Sequence, residues 1–208
     1  MGRPEWGEGS PPVDAIVAAA LRLLDEQGFA ALTTRRLASE MGIHQPTIYR
    51  RVADRDALFG LVADAIMAEA DPLDRGSLGW CDWLHETGMR VRRAWWDHPH
   101  AAPLLHYGGP HPAIARFLDD VVAVMRSAGL EGTELVASLQ AYLGYVLGSV
   151  TLDSRGSHTA TPSKVEATAF PDLHHLQQFV LGAAASPELV FETGLELVLD
   201  GVARRSRR

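Results

Sequence analysis

Residues 42–52, Gly-Ile-His-Gln-Pro-Thr-Ile-Tyr-Arg-Arg-Val, concentrate hydrogen-bonding chemistry in one short stretch. Gln45 carries a donor and an acceptor side by side, which can pair bidentately with an adenine edge. Arg50 and Arg51 offer planar forks that fit guanine or phosphate. Thr47 can touch a thymine methyl or a phosphate, and Tyr49 a phosphate oxygen. Ile43, Ile48 and Val52 recur at spacings of five and four, so the stretch has an apolar side and a polar, basic side. A core helix would not carry so many polar groups, and a loop would not space its apolar residues in this way. This is the chemistry of a surface that meets a polyanion with readable edges.

The charge distribution agrees. The chain of 208 residues carries a net charge of −7, which alone argues against nucleic acid. Between Thr33 and Arg55, however, five arginines (35, 36, 50, 51 and 55) stand against Glu40 and Asp54, a local +3 that leaves −10 for the rest. Contact charges decide binding to a polyanion more than the total does.

Other chemistries are poorly supplied. His85-Glu86-Thr87-Gly88-Met89 opens like the zinc motif His-Glu-x-x-His, but Met89 stands where the second histidine belongs. There is no Gly-x-Ser-x-Gly and no glycine-rich phosphate loop. The reading is of a protein that is not an enzyme and takes no cofactor. His98, His100, His106 and His111 crowd into fourteen residues. Lacking a cysteine or a paired helical histidine, they are expected to be loop residues and not a metal site, although a metal sensor built on them is one rival reading. Cys81 is the single cysteine, so no intrachain disulfide forms; it reads as a small buried hydrophobe in a reduced, cytoplasmic setting. No apolar run is expected to reach the roughly 20 residues that span a bilayer, and no signal-peptide pattern opens the chain.

The elements that must position these residues are helical throughout. Residues 1–12, rich in Gly, Pro and Glu, read as a disordered arm. Val13, Ile16, Val17, Ala20, Leu21 and Leu24 mark a first helix that Gly28 ends. Thr33 or Thr34 caps a second, ended by Gly42, and a third runs from about Gln45 to Val52 with Pro46 in its first turn. Asp54 caps a fourth, with Leu58, Leu61, Val62, Ala65 and Ile66 on one stripe. Five more helices follow: around Trp80–Trp95, residues 111–129, residues 132–153, residues 172–184, and residues 186–205 with Pro187 in the first turn. Residues 154–169 read as a mobile loop. The fold class is all-α. A helix-turn-helix domain spans 13–57, and a C-terminal bundle for ligand binding and dimerisation spans 58–208. A helical interaction module without DNA function is the second rival reading.

The stretch Leu-Thr-Thr-Arg-Arg-Leu-Ala-Ser-Glu-Met-Gly-Ile-His-Gln-Pro-Thr-Ile-Tyr-Arg-Arg-Val, continued to Val62, resembles the helix-turn-helix of the tetracycline-repressor family of bacterial transcriptional regulators. It is most similar to the tetracycline-resistance repressors themselves. The resemblance implies a repressor that leaves a palindromic DNA operator when a small-molecule inducer binds its C-terminal domain. It implies base contacts from Arg35, Gln45, Pro46, Thr47 and Tyr49, and phosphate contacts from Arg51 and Arg55; Thr34 and Arg50 complete the expected DNA-contact set. Arg50 and Arg51 stand where those repressors carry an aromatic residue and a histidine, so the operator sequence need not be theirs.

The same resemblance implies a homodimer. Leu135, Ser138, Ala141, Tyr142, Tyr145 and Gly148 on one helix mix small and aromatic residues, which permits close helix approach. With Leu195, Val198, Leu199 and Val202 they are expected to build a four-helix interface. For the ligand, the expected lining is Trp83, Thr87, Val91, Trp95, His106, Phe117, Gln140, Leu143 and Leu147, with His174 and Phe179 from the loop side or the partner chain. His106 falls near the family's magnesium-holding histidine. The family's carboxylate partner aligns near Leu152 or Asp153, however, and its drug-clamping asparagine near Thr87. The chain contains no asparagine.

Overall fold

The computed structural model describes residues 10–71, 73–76, 78–107, 111–153, 166, 168–181 and 186–206, with backbone alone at 153 and 177–181. Most of the expected arm at 1–12 and of the expected loop at 154–169 lies outside these residues. Among them there is no strand. The helices are α1 (Val13–Gln27), α2 (Thr34–Glu40), α3 (Gln45–Tyr49), α4 (Arg55–Glu69), α5 (Trp80–Trp96), α6 (Pro112–Ser127), α7 (Gly132–Asp153), α8 (Pro171–Leu181) and α9 (Pro187–Ser206), with 3-10 turns at Phe29–Ala31 and Ala102–Tyr107. The chain divides into two compact units, Met1–Pro72 with Arg93–Asp119, and Leu73–Arg92 with Asp120–Arg208.

In the first unit α1 offers Ile16, Ala20, Leu23 and Leu24, all buried, to Leu37, Ala38 and Ile48 of the two short helices and to Leu58, Val62 and Ile66 of α4. Helices of seven and five residues are far too short to be stable alone. Their place is held by this shared core, at about 1.5–3 kcal/mol per large side chain buried. Phe59 of α4 completes an aromatic cluster with Phe29 at 5.1 Å and Tyr107 at 4.8 Å between ring centroids. Asp64 of α4 accepts from the backbone N–H groups of Ala113 and Ile114 at 2.8 and 3.0 Å, so a carboxylate from one helix caps the start of α6.

The second unit packs α5, α7 and α9 around Trp83, Leu84, Val91, Tyr142, Val146, Phe191 and Leu195. Gly88 makes the close approach possible. A Cβ there would stand 2.9 Å from Leu195 Cδ2 and 3.2 Å from the Tyr142 hydroxyl. That hydroxyl donates to the Leu84 carbonyl at 2.8 Å, and burial pushes its pKa well above the usual tyrosine value. Contrary to expectation, one segment, Gly132–Leu152 of α7, is long and apolar enough by composition to cross a membrane. Only 22% of it is buried within the chain, so much of its apolar surface is left for another partner.

Candidate nucleic-acid interface

Local chemistry fixes the angle between α2 and α3. Thr33 Oγ1 accepts from the Arg36 N–H at 3.2 Å and so caps α2. At the other end Ile43 N–H reaches the Ala38 carbonyl at 3.0 Å and Gly42 N–H that of Ser39 at 3.2 Å, with Gly42 at φ 65°. This double closure needs a residue in the left-handed region, which glycine enters without strain. The helix α3 then starts at Gln45 with Pro46 in its first turn, where no N–H is needed. It ends at Tyr49, earlier than its spacing suggests. Arg51 and Val52 N–H groups both turn back onto the Ile48 carbonyl, and Asp54 accepts from Ala57 N–H at 2.7 Å to begin α4. Arg50 and Arg51 therefore sit on the turn after the helix.

The candidate reading residues are organised by Thr34. Its side chain is only 7% exposed, and its Oγ1 accepts from the Gln45 Nε2 amide at 2.8 Å and shares a hydrogen bond of 3.0 Å with the Tyr49 hydroxyl. Gln45 and Tyr49 lie one turn apart on α3, so one buried hydroxyl orients both. Tyr49 remains 46% exposed, which leaves most of its ring at the surface. Arg50 donates to Thr47 Oγ1 at 3.1 Å, tying a third pair together. Arg35, Arg50, Arg51 and Arg55 are exposed, as is Pro46, while Thr47 is partly covered. The Arg55 guanidinium lies 4.7 Å from the Phe59 ring centre, and Arg51 reaches the Ser10 carbonyl at 3.5 Å. The structure thus gathers all nine expected DNA-contact residues on the α2–α3 pair, its following turn and the first residue of α4.

Comparison with known proteins supplies the deciding observation. Residues 16–62 match the model of the bacterial regulatory proteins, tetR family, and residues 72–206 that of the tetracyclin repressor-like C-terminal domain. The chain belongs to the tetR family of bacterial regulatory proteins. It is 30% identical over 194 residues to the class E tetracycline repressor protein of Escherichia coli, which covers 91% of this chain and 89% of that protein. Among solved structures, ActR of Streptomyces coelicolor in complex with actinorhodin superimposes with a TM-score of 0.76 at 26% identity, covering 92% of this chain and 95% of ActR. BioQ, known from Mycobacterium smegmatis, bound to its double-stranded DNA operator gives a TM-score of 0.68 at 27% identity, covering 93% and 98%. In this family the chain is a helix-turn-helix DNA-binding transcriptional regulator.

The expected ligand residues of this regulator are divided between the two units. Trp95, His106 and Phe117 fall in the first, and Trp83, Thr87, Val91, Gln140, Leu143, Leu147 and His174 in the second. Trp83 and Trp95 are buried and committed, their indole N–H groups donating to the Asp74 carbonyl at 3.2 Å and to Met67 Sδ at 3.3 Å. His106 and Gln140 are exposed, Leu143, Leu147 and His174 are partly covered, and the Phe179 side chain lies outside the described residues. Thr87 differs from them all. It is 6% exposed, and its hydroxyl finds no hydrogen-bond partner among the described residues.

For the expected dimer face the structure makes a correction. Tyr142, Leu195 and Leu199 are at most 3% exposed and face the interior of their own unit, where Gly88 draws α5 onto them. Ser138 and Val202 are also buried, though they line an open groove of about 330 Å³ with Ala141 and Val198. A second groove of about 240 Å³ is lined by Tyr145, Gly148, Arg92 and Phe191. None of the ligand candidates lines either groove. Leu135 is partly covered. The large apolar side chains that α7 and α9 leave outside are Val136, Leu152, Leu189, Val190 and Leu197, the last 70% exposed. Helical spacing assigned part of the inward stripe of these helices to the outward one.

The four clustered histidines do not share a site. His98 bridges Asp25 at 2.9 Å and Glu69 at 3.0 Å, His100 lies beside Gly28, His111 beside Gly60, and His106 stands at the surface. Burial alone would lower the pKa of His98, but the hydrogen bonds and charges of the two carboxylates outweigh it and raise it above the ordinary value. Sequence reasoning missed this bridge and the Asp64 cap, because both depend on residues far apart in the chain.

Proposed function

We propose that this protein is a homodimeric, cytoplasmic transcriptional repressor, with no enzymatic activity, which binds a palindromic operator through α3. The reading head is residues 13–57 and the body residues 58–208. The carrying observation is the Gln45–Thr34–Tyr49 network. It uses the buried Thr34 hydroxyl to hold two candidate base-reading side chains at the surface. Arg35, Gln45, Pro46, Thr47 and Tyr49 take bases or their edges, while Arg51 and Arg55 take phosphates and set register, with Arg50 beside them. The apolar surface left by α7 and α9 receives the same surface of a second copy. A two-fold operator takes the two reading heads of such a dimer about one DNA turn, roughly 34–36 Å, apart.

Release by a small molecule follows the precedent of ActR with actinorhodin. Thr87 is the best-supported ligand contact, since a bound molecule would satisfy its unpaired hydroxyl between the apolar Trp83 and Val91 of the same helix. The chain has no asparagine to clamp a tetracycline–magnesium chelate near Thr87, which argues against that inducer. The test is fluorescence anisotropy on labelled DNA from upstream of its own gene. Gln45→Ala and Tyr49→Ala are expected to weaken binding roughly 5- to 150-fold each with the dimer intact. Unchanged affinity in both variants would mean that α3 is not the reading helix.

A further inference from the structure

The helices α5 and α9 meet at three places in the second unit. His85 faces Glu192, Gly88 faces Leu195, and Arg92 donates to the Pro187 carbonyl at 3.1 Å. The missing Cβ at Gly88 leaves room for the Leu195 side chain, and one turn away on α5 His85 stands against Glu192 and Glu196. The two glutamates are four residues apart on α9 and so share a face. A ring nitrogen of His85 and one oxygen from each carboxylate all lie within 4.8 Å of one another.

The His85 Nε2 atom is buried and has no hydrogen-bond partner among the described residues. Its distance to Glu192 Oε1 is 3.8 Å. A charge-assisted hydrogen bond between them would close to about 2.7–2.9 Å, so the two groups stand in ion-pair range without a hydrogen bond. A buried ring nitrogen without a hydrogen-bond partner, close to two carboxylates, is a donor set that a cation would satisfy. The side chains of His85 and Glu192 are 28% and 42% exposed, which leaves a path for an ion to enter.

We propose that His85, Glu192 and Glu196 bind one divalent transition-metal ion of the zinc class, which ties α5 to α9. The donor set of one imidazole and two carboxylates selects zinc and its neighbours over magnesium or calcium, which take oxygen alone. With bonds of about 2.0–2.2 Å, ligand atoms around a tetrahedral ion stand roughly 3.3 Å apart. The partly exposed glutamates reach that spacing by rotating side chains, with no backbone movement. The fourth position faces the open side and takes water. This site is distinct from His106 and from the reading head.

The experiment is a zinc titration by calorimetry on the full chain, free of any affinity tag and stripped with chelator, followed by cobalt substitution to read coordination from visible absorption. Wild type is expected to bind one ion per chain, with a melting-temperature rise of roughly 5 °C at about a hundredfold excess over Kd. His85→Gln should lose binding by roughly 100-fold or more. So should the double variant Glu192→Gln/Glu196→Gln, whose partly exposed positions leave the metal-free fold and melting temperature unchanged. Cys81→Ser and His100→Gln/His106→Gln should bind as wild type. Wild-type affinity in His85→Gln or in the double glutamine variant, or no ion bound by wild type at millimolar zinc, would overturn the proposal. The readout is the metal, so the result stands apart from whether the protein binds DNA.

Discussion

Replacing Thr34 by valine tests whether the reading head is preorganised. The change exchanges one buried hydroxyl for a methyl of nearly equal volume at a position 7% exposed, and so removes two hydrogen bonds, of 2.8 Å from Gln45 and 3.0 Å to Tyr49. Both partners keep access to water, so the loss of stability should be modest, about 1–2 kcal/mol. The larger effect falls on binding. Two side chains now held in place regain their rotamers and must be immobilised again on DNA, at about 0.5–1.5 kcal/mol each. Summed over the two heads of a dimer this amounts to about 2 kcal/mol or more, at least a roughly 30-fold rise in operator Kd. Anisotropy at fixed salt measures it, and the same substitution in a Gln45→Ala background should show a smaller effect, because one of the two released side chains is then absent. If Thr34→Val binds as tightly as wild type, or more tightly, the hydroxyl restrains the readers instead of presenting them, and the reasoning fails.

Further predictions rest on single contacts. Arg51→Ala should reduce the slope of log K against log salt by roughly one per head while weakening all DNA sequences alike, as measured by salt titration on specific and random duplexes. Asp64→Ala removes the carboxylate that caps two N–H groups of α6 and should cost about 1–2 kcal/mol in urea unfolding. Gly88→Ala drives a methyl to 2.9 Å from Leu195 and should destabilise the protein by about 1–3 kcal/mol, read as a lowered melting temperature. His98 has a raised folded pKa, so its contribution of about 1 kcal/mol is fully present below the unfolded value and lost as pH climbs through the folded one. Wild type should therefore exceed His98→Gln in stability near pH 5.5–6 and converge with it in alkaline solution, as followed by urea denaturation across pH.

What the sequence disclosed was what local chemistry determines. Thr33 as a cap, Gly42 as the turn residue, Pro46 in a first turn and Asp54 before α4 each act within a few residues of themselves, and the structure bears them out. The candidate reading residues stood out for the same reason, as polar and basic side chains interleaved with an apolar stripe. Thr34 as the hub that orients them was not, since nothing in its neighbourhood says that Gln45 and Tyr49 return to it. The Asp64 cap joins positions 49 apart, and the His85–Glu192–Glu196 group joins two helices from opposite ends of the body. Tyr142 shows the limit most plainly. Its spacing places it on a packed face of α7, but whether that face meets α5 or a second chain depends on Gly88, a residue from another helix.

The central claim is that α3 reads DNA by base contacts from Gln45 and Tyr49. Hydroxyl-radical footprinting of wild type and Gln45→Ala on the DNA upstream of its own gene, near physiological salt, tests it most directly. The account predicts two protected half-sites related by a two-fold axis, with centres about 10–10.5 base pairs apart or a multiple of that spacing, lost in the variant at the same protein concentration. A wild-type footprint that Gln45→Ala reproduces unchanged, or protection without two-fold symmetry, would contradict it.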